Sequence, residues 1–259
     1  MATPSTTPAP PQPGPPIGRA CLLIALQAEA APLIARLDLA EAAPPVPGLP
    51  MRRFRGQVGQ LHVDLVTNGT DARCGTDRVG TDAATLAATA AVLHLTPDLI
   101  VNAGTCGGFQ GRGGAVGDLY VATGHALYHD RRIPIPNFRL QAEGRWPVHA
   151  APALRNVLGA KPGIVTTGNS LDFTPDEARF FEQEGVHAKD MEACAIAQVC
   201  ALAGVPFVSV KAVTDLVDHP EPVQEAFLRN LRDVSERLGE RLAAGMRWLG
   251  ERPRTVDEL

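Results

Sequence analysis

Three stretches of this sequence place polar, chemically useful groups just beyond apolar runs, at the strand ends where open α/β sheets hold their ligands. In the first, Leu22-Leu23-Ile24-Ala25-Leu26-Gln27-Ala28-Glu29, an apolar strand delivers Glu29 into the start of a helix. A carboxylate there either complements the positive end of the helix dipole or faces a ligand. In the second, Val101-Asn102-Ala103-Gly104-Thr105-Cys106-Gly107-Gly108, a strand runs into glycines that let backbone amides approach a ligand closely. It has neither a Gly-x-Gly-x-x-Gly fingerprint nor a Gly-Lys-Ser/Thr ending, which argues against a nucleotide-phosphate cradle and leaves a bare turn as the competing reading. The third pairs Lys189-Asp190-Met191-Glu192-Ala193-Cys194-Ala195 with Val208-Ser209-Val210-Lys211-Ala212-Val213-Thr214-Asp215. Glu192 opens an alanine-rich helix, and Asp215 ends a strand so apolar that an unpaired carboxylate would be costly there. Such a group is either a poised acid or a member of a cap or ion pair.

The elements that must hold these groups follow from hydropathy patterning. Short apolar runs recur at Cys21–Ala25, Leu61–Thr67, Leu99–Ala103, Asp118–Ala122, Gly163–Thr166 and Pro206–Ala212, separated by alanine-rich stretches of helical character. Gly75–His94 and Met191–Leu202 have helix-forming composition, and the strands beside them are apolar enough to be covered on both faces. The expected fold is α/β, a three-layer α/β/α sandwich with a central mixed sheet. Val223–Leu249 repeats apolar residues at Ala226, Phe227, Leu231, Val234, Leu238, Leu242 and Met246, the period of an amphipathic helix. Residues 1–16, dominated by Pro, Ala and Thr, are expected to form a disordered tail. Residues 17–250 are expected to form one domain, with 251–259 as a C-terminal tail. The proline cluster Pro44–Pro50 reads as a loop, because apolar runs resume on both sides.

Composition excludes several function classes. The formal net charge is −4, with acidic and basic residues interspersed, so there is no basic stripe to track nucleic acid. The five cysteines, Cys21, Cys74, Cys106, Cys194 and Cys200, form no Cys-x-x-Cys pair and no Cys/His cluster with zinc spacing. Reduced thiols in a cytoplasm fit this usage. No apolar run approaches the roughly 20 residues needed to span a bilayer, and the proline-rich N-terminus does not read as a signal peptide.

Taken jointly and in order, the three stretches resemble the 5′-methylthioadenosine/S-adenosylhomocysteine nucleosidases of the nucleoside phosphorylase superfamily, from about Ala20 to Leu249. His129-Asp130-Arg131-Arg132-Ile133-Pro134-Ile135-Pro136 and the pairing of Gln27-Ala28-Glu29 with Gly104-Thr105-Cys106-Gly107-Gly108 look most like the plant-type branch. The resemblance implies a nucleoside phosphorylase-like fold and hydrolysis of an N-glycosidic bond without metal or cofactor, in methionine salvage. It implies that Glu29 activates water, Glu192 binds the ribose hydroxyls and Asp215 protonates N7 of adenine. It further implies that Thr105 and Met191 lie near the ribose, Thr214 beside the acid, Val165, Ser170 and Leu171 along the base, and Phe227 over the 5′-alkylthio group, with Cys106 and Gly107 also binding substrate. In similar enzymes a homodimer partner completes the pocket; Ile133, Pro134, Ile135, Pro136 and Phe138 are the expected contributors. The chain departs from the family at Asn169, where Asp is common, and at Leu171, where many bacterial members carry Phe.

A phosphorylase of the same fold would need arginines and backbone amides to clamp phosphate. Related phosphorylases carry Arg where Asn102 stands, and a Gly/Arg-containing phosphate loop where this chain has Gln27-Ala28-Glu29. A hydrolase of another purine nucleoside such as futalosine, and a nucleoside-binding protein without turnover, are the further alternatives. Retention of Glu29, Glu192 and Asp215 argues against the last.

Overall fold

The computed structural model describes residues 14–259; the first thirteen residues of the proline-rich segment lie outside that range. In chain order the first half contains β1 (Arg19–Ile24), α1 (Gln27–Leu37), β2 (Ala40–Ala42), β3 (Arg52–Val58), β4 (Leu61–Thr67), β5 (Thr70–Asp71), β6 (Thr76–Asp77), α2 (Thr81–Leu95) and β7 (Leu99–Gly108). The second half contains β8 (Leu119–Tyr128), α3 (Phe138–Glu143), β9 (Trp146–Pro147), α4 (Pro152–Leu158), β10 (Lys161–Thr167), α5 (Pro175–Glu184), β11 (Ala188–Asp190), α6 (Ala193–Ala203), β12 (Phe207–Leu216) and α7 (Val223–Gly250).

The strands other than β5 and β6 make one mixed sheet in the order β11-β10-β8-β12-β7-β1-β4-β3-β2, with β9 on β8. Period-two alternation in β1 explains the layers. Leu22 and Ile24 pack with Leu33 and Leu37 of α1, Leu154 of α4, and Leu238 and Met246 of α7. Cys21 and Leu23 face the other way, into a cluster with Ala84 and Ala88 of α2 and Ile196 and Cys200 of α6. The expected α/β/α layering is therefore present, with one addition. β11 pairs in parallel with β10 and antiparallel with β7, so β7, β12, β8, β10 and β11 close on themselves and gather their ends around one space. Helix α7 lies so close to α1 that a side chain at Gly239 would stand 2.8 Å from Pro32 Cβ.

Several boundaries differ from expectation for local reasons. The helix expected from Gly75 starts at Thr81, because β5 and β6 pair as a short hairpin and Gly80 sits at φ +91°, outside the helical region. β7, β8 and β12 each run ten residues, beyond their apolar cores. β3 was not foreseen: Phe54 and Val58 reach the core, but arginines at 52, 53 and 55 obscure the alternation. At the N-terminus, Pro16 bridges Thr255 and the Ile17 amide donates to the Arg254 carbonyl at 2.7 Å. The segment expected as a C-terminal tail folds back, burying Leu259, whose carbonyl accepts from the Leu154 amide at 2.9 Å. Among the described residues no helix is long and apolar enough to cross a membrane.

Candidate active site

Glu29 lies in the first turn of α1, which follows β1, and is only 3 % exposed. Thr105 on the adjacent strand β7 donates to Glu29 Oε1 twice, from its amide at 2.8 Å and its hydroxyl at 2.6 Å. The second oxygen, Oε2, receives only the Leu26 amide, at 3.4 Å. One oxygen is thus fixed to the sheet and the other is nearly free to engage a ligand.

Asp215 is aimed by an irregularity in β12. Val213 pairs with Cys106 and Asp215 with Gly107, so Thr214 is an extra residue in the register and the carboxylate is turned out of the ladder. Thr214 Oγ1 lies 2.8 Å from Asp215 Oδ1 and 3.2 Å from the Cys106 carbonyl, while Asn230 of α7 donates to the Thr214 carbonyl at 2.8 Å. Burial raises the Asp215 carboxyl above the ordinary range, opposed by the Thr214 hydrogen bond and the charge of Lys189. Gly107 leaves this carboxylate its room. A Cβ there would come within 2.7 Å of Val217 Cγ2 and 2.9 Å of Asp215 Oδ2. Gly107→Ala is accordingly expected to lower kcat by on the order of 10²-fold through displacement of Asp215, with the circular dichroism spectrum unchanged. Steady-state turnover within about threefold of wild type would contradict this account of Gly107.

Glu192 occupies the N-cap of α6 and accepts from the Gly80 amide at 2.9 Å. Its burial pushes the carboxyl up to about 7, against the pull of nearby Lys211. Beneath it is a fully buried ion pair, Lys211 Nζ to Asp190 Oδ2 at 2.6 Å. Asp190 also accepts from the Ala193 amide at 2.8 Å and from the Glu192 amide at 3.2 Å, so it caps α6 and fixes the backbone carrying Glu192. Burial opposes the charge of Lys211, but Asp190, Glu192 and Glu29 outweigh it and hold the ammonium above its usual range.

The three carboxylates, drawn from positions 29, 192 and 215, line one cavity of about 300 Å³. Its wall also includes the expected Thr105, Cys106, Gly107, Leu171, Met191, Thr214 and Phe227. Phe227 is half-buried at the cavity, whereas its neighbour Ala226 is buried. Two sequence-predicted residues do not line it. Val165 is fully buried in a cluster with Tyr120, Ala122 and Ala188, because its place in β10 turns it into the core. Ser170 is exposed and contributes its carbonyl, which accepts from Lys189 Nζ at 2.6 Å. Ile133 and Pro134 line a different cleft, with Tyr128, His129 and Arg179. Ala25, Leu26, Val79 and Lys189 line the cavity without having been singled out. Lys189 sits on β11, the strand that closes the barrel; its ammonium also donates to the Leu171 carbonyl at 3.0 Å. Burial lowers its pKa, offset by the field of Asp215 and Asp190.

No arginine lines the cavity among the described residues. Asn102 points away from it: its amide donates to the Leu23 carbonyl at 3.0 Å, tying β7 to β1. Nor do the described residues contain a His/Cys/Asp/Glu cluster able to hold a metal ion.

A family model described as Phosphorylase superfamily matches residues 19–245. The chain is 41% identical over 225 residues to a 5′-methylthioadenosine nucleosidase of Arabidopsis thaliana, covering 86% of this chain and 84% of that protein. This chain belongs to the 5′-methylthioadenosine nucleosidase family of the phosphorylase superfamily. A 5′-methylthioadenosine/S-adenosylhomocysteine nucleosidase of the same organism is 38% identical over 229 residues, covering 88% of this chain and 90% of that protein. The solved apo structure of an Arabidopsis thaliana 5′-methylthioadenosine nucleosidase superposes with a TM-score of 0.90 at 38% identity, covering 94% of this chain and 100% of that one. The family likeness thus agrees with the fold expected from the sequence.

Proposed function

We propose that this chain hydrolyses the N-glycosidic bond of 5′-methylthioadenosine, releasing adenine and 5-methylthioribose. The observation that carries the reading is the convergence of Glu29, Glu192 and Asp215 on one cavity without arginine. In this reaction a water oxygen bonds to C1′ as the C1′–N9 bond breaks. The sugar gains oxocarbenium character while the departing base gathers the bonding electrons. Glu29 takes the proton of the attacking water through its freer oxygen; Asp215 gives its proton to N7, so adenine leaves neutral. Glu192 holds the ribose hydroxyls through the oxygen not engaged by Gly80. Leu26, Val79 and Phe227 supply apolar wall for the methylthio group.

The missing arginines favour water over phosphate, since a phosphate nucleophile needs donors that offset its charge and a glutamate at its site repels it. Adenine release from 5′-methylthioadenosine is expected at the same rate with and without added phosphate, read by loss of nucleoside absorbance. Strict dependence on phosphate would reassign the chain to phosphorolysis. The apolar cavity also favours the short thioether over the zwitterionic homocysteine tail, so kcat/KM for S-adenosylhomocysteine is expected to be the lower of the two.

The exposed apolar residues Ile133, Ile135 and Phe138, with Pro134 and Pro136 between them, are the surface on which a second copy would complete the site. A homodimer assembled through this segment, acting in the methionine salvage of a reducing cytoplasm, is the setting that this reading gives the enzyme.

A further inference from the structure

The α2 N-terminus has no cap of its own. Gly80, at φ +91°, offers no side chain, and the helix begins with two amides whose partners come from far along the chain. The Gly80 amide donates to Glu192 at 2.9 Å. The Thr81 amide and hydroxyl donate to Asn169 Oδ1 at 2.9 and 3.0 Å. Asn169 then turns its other end to Asp130: its Nδ2 and its backbone amide donate to Asp130 Oδ2 at 3.0 and 2.8 Å. A chain of hydrogen bonds therefore runs from Asp130 through Asn169 and the first turn of α2 to the ribose carboxylate. It joins two walls of the cavity, the Val79–Thr81 corner and the loop carrying Leu171.

We propose that Asn169 is a positioning residue, a carboxamide clamp that fixes the α2 N-terminus, and with it Glu192, against the base loop. The inference rests on the nucleosidase reading of the cavity. The geometry requires one group to accept from Thr81 while donating to Asp130. A carboxamide does both at every pH. Asn169 is exposed; a carboxylate there accepts from Thr81 but meets Asp130 Oδ2 at the distance now spanned by the 3.0 Å hydrogen bond, and charge repulsion replaces that bond. Asp130 has little to spare, since its Oδ1 is buried and receives no hydrogen bond among the described residues. With a carboxylate at 169 the clamp would hold only while one proton is shared between the pair.

The other titratable and charged groups nearby set the conditions of the test. Beside Asp130 in the chain are His129, Arg131 and Arg132, the Arg131 guanidinium lying over the Tyr128 ring. Asp130 also faces Tyr128 and Cys194 of α6, whose protons burial holds well above neutrality. Glu177 of α5 and Lys189 of β11 act on His129, which burial pushes down to about 4, neutral across the working range. Asp82 follows Thr81, and Asp172 shares the loop with Asn169. Glu192, raised by its burial and held down in part by the Gly80 amide, adds a pH dependence of its own, which the wild-type profile and the double variant record alongside the single variant.

The experiment compares Asn169→Asp, and Asn169→Asp combined with Asp130→Asn, with wild type in adenine release from 5′-methylthioadenosine. Between roughly pH 5.5 and roughly pH 8.5, kcat/KM of the single variant relative to wild type is expected to fall about tenfold, carried by KM, with kcat within about twofold. The double variant, which moves the donor from position 169 to position 130, is expected to restore a pH-independent ratio. In parallel, amide hydrogen exchange over residues 78–85 reads the clamp without turnover: faster in the single variant at high pH, protected again in the double. A flat ratio together with unchanged exchange overturns the proposal, as does a double variant no better than the single. If wild-type protein releases no adenine, the nucleosidase reading fails, while the exchange measurement still decides whether the clamp exists.

Discussion

Asp215→Asn is expected to lower kcat by about 10²- to 10⁴-fold with KM changed by no more than a few-fold, the range for losing one general acid. The substitution is nearly isosteric. Thr214 Oγ1, now 2.8 Å from Asp215 Oδ1, keeps an acceptor if the new amide turns its oxygen that way, so the fold and the cavity survive. What is lost is the proton. An amide donates a hydrogen bond to N7 but cannot transfer a proton to it, and adenine would have to leave as an anion. The sign of the pH dependence follows from the same burial. Because Asp215 is raised above the ordinary carboxyl range, its reactive protonated form persists to higher pH than a surface aspartate would allow, and kcat falls as pH rises through that raised value. In the variant this alkaline limb of kcat should be gone. Glu192, raised to about 7 and proposed to hold the ribose, is expected to show in KM instead. Retention of wild-type kcat, or of the alkaline limb in the variant, would remove Asp215 from the acid role.

The carboxylates were legible because their signal is local. Glu29 and Asp215 stand at the ends of apolar runs and Glu192 opens an alanine-rich helix, and the order of the three stretches carries the resemblance that gives them their roles. Lys189 lacked such a signal. Next to Asp190 it looks like half of a surface pair; its burial arises only because the three-residue strand β11 reaches across to Gly107 and Gly108 of β7. That pairing closes the barrel between segments about eighty residues apart, and no short-range pattern encodes it. Val165 failed for the complementary reason. Its apolar run predicted a strand correctly, but which face of β10 meets the cavity is set by register against β8 and β11. Asn169 shows a third case. From the sequence it is only a departure from the Asp common in the family; in the fold its amide group donates to Asp130, and the carboxylate of the pair stands at 130.

Glu29→Gln carries the second large effect. A decrease in kcat of about 10²- to 10⁴-fold is expected, with binding of 5′-methylthioadenosine, measured by calorimetry, kept within a few-fold. Glu29 has two oxygens with unequal duties. Oε1 is committed to the Thr105 amide and hydroxyl at 2.8 and 2.6 Å, and a glutamine oxygen can fill that place without moving the chain. Oε2, with only a 3.4 Å contact from Leu26, is the oxygen free to take a proton from water. In the variant an NH₂ group stands there. It can neither accept that proton nor receive from the Leu26 amide, so the weak 3.4 Å contact in the first turn of α1 is lost as well. Thermal denaturation separates the two consequences, because a lowered midpoint reports the lost contact and not the chemistry. Formate offers a further separation: in Glu29→Ala, which opens space beside Thr105, millimolar formate is expected to recover part of the turnover by supplying a carboxylate at the vacated position. No recovery in Glu29→Ala, together with undiminished kcat in Glu29→Gln, would mean that the attacking water is activated elsewhere. Loss of substrate binding in Glu29→Gln would instead show that this carboxylate holds the nucleoside and does not act on water.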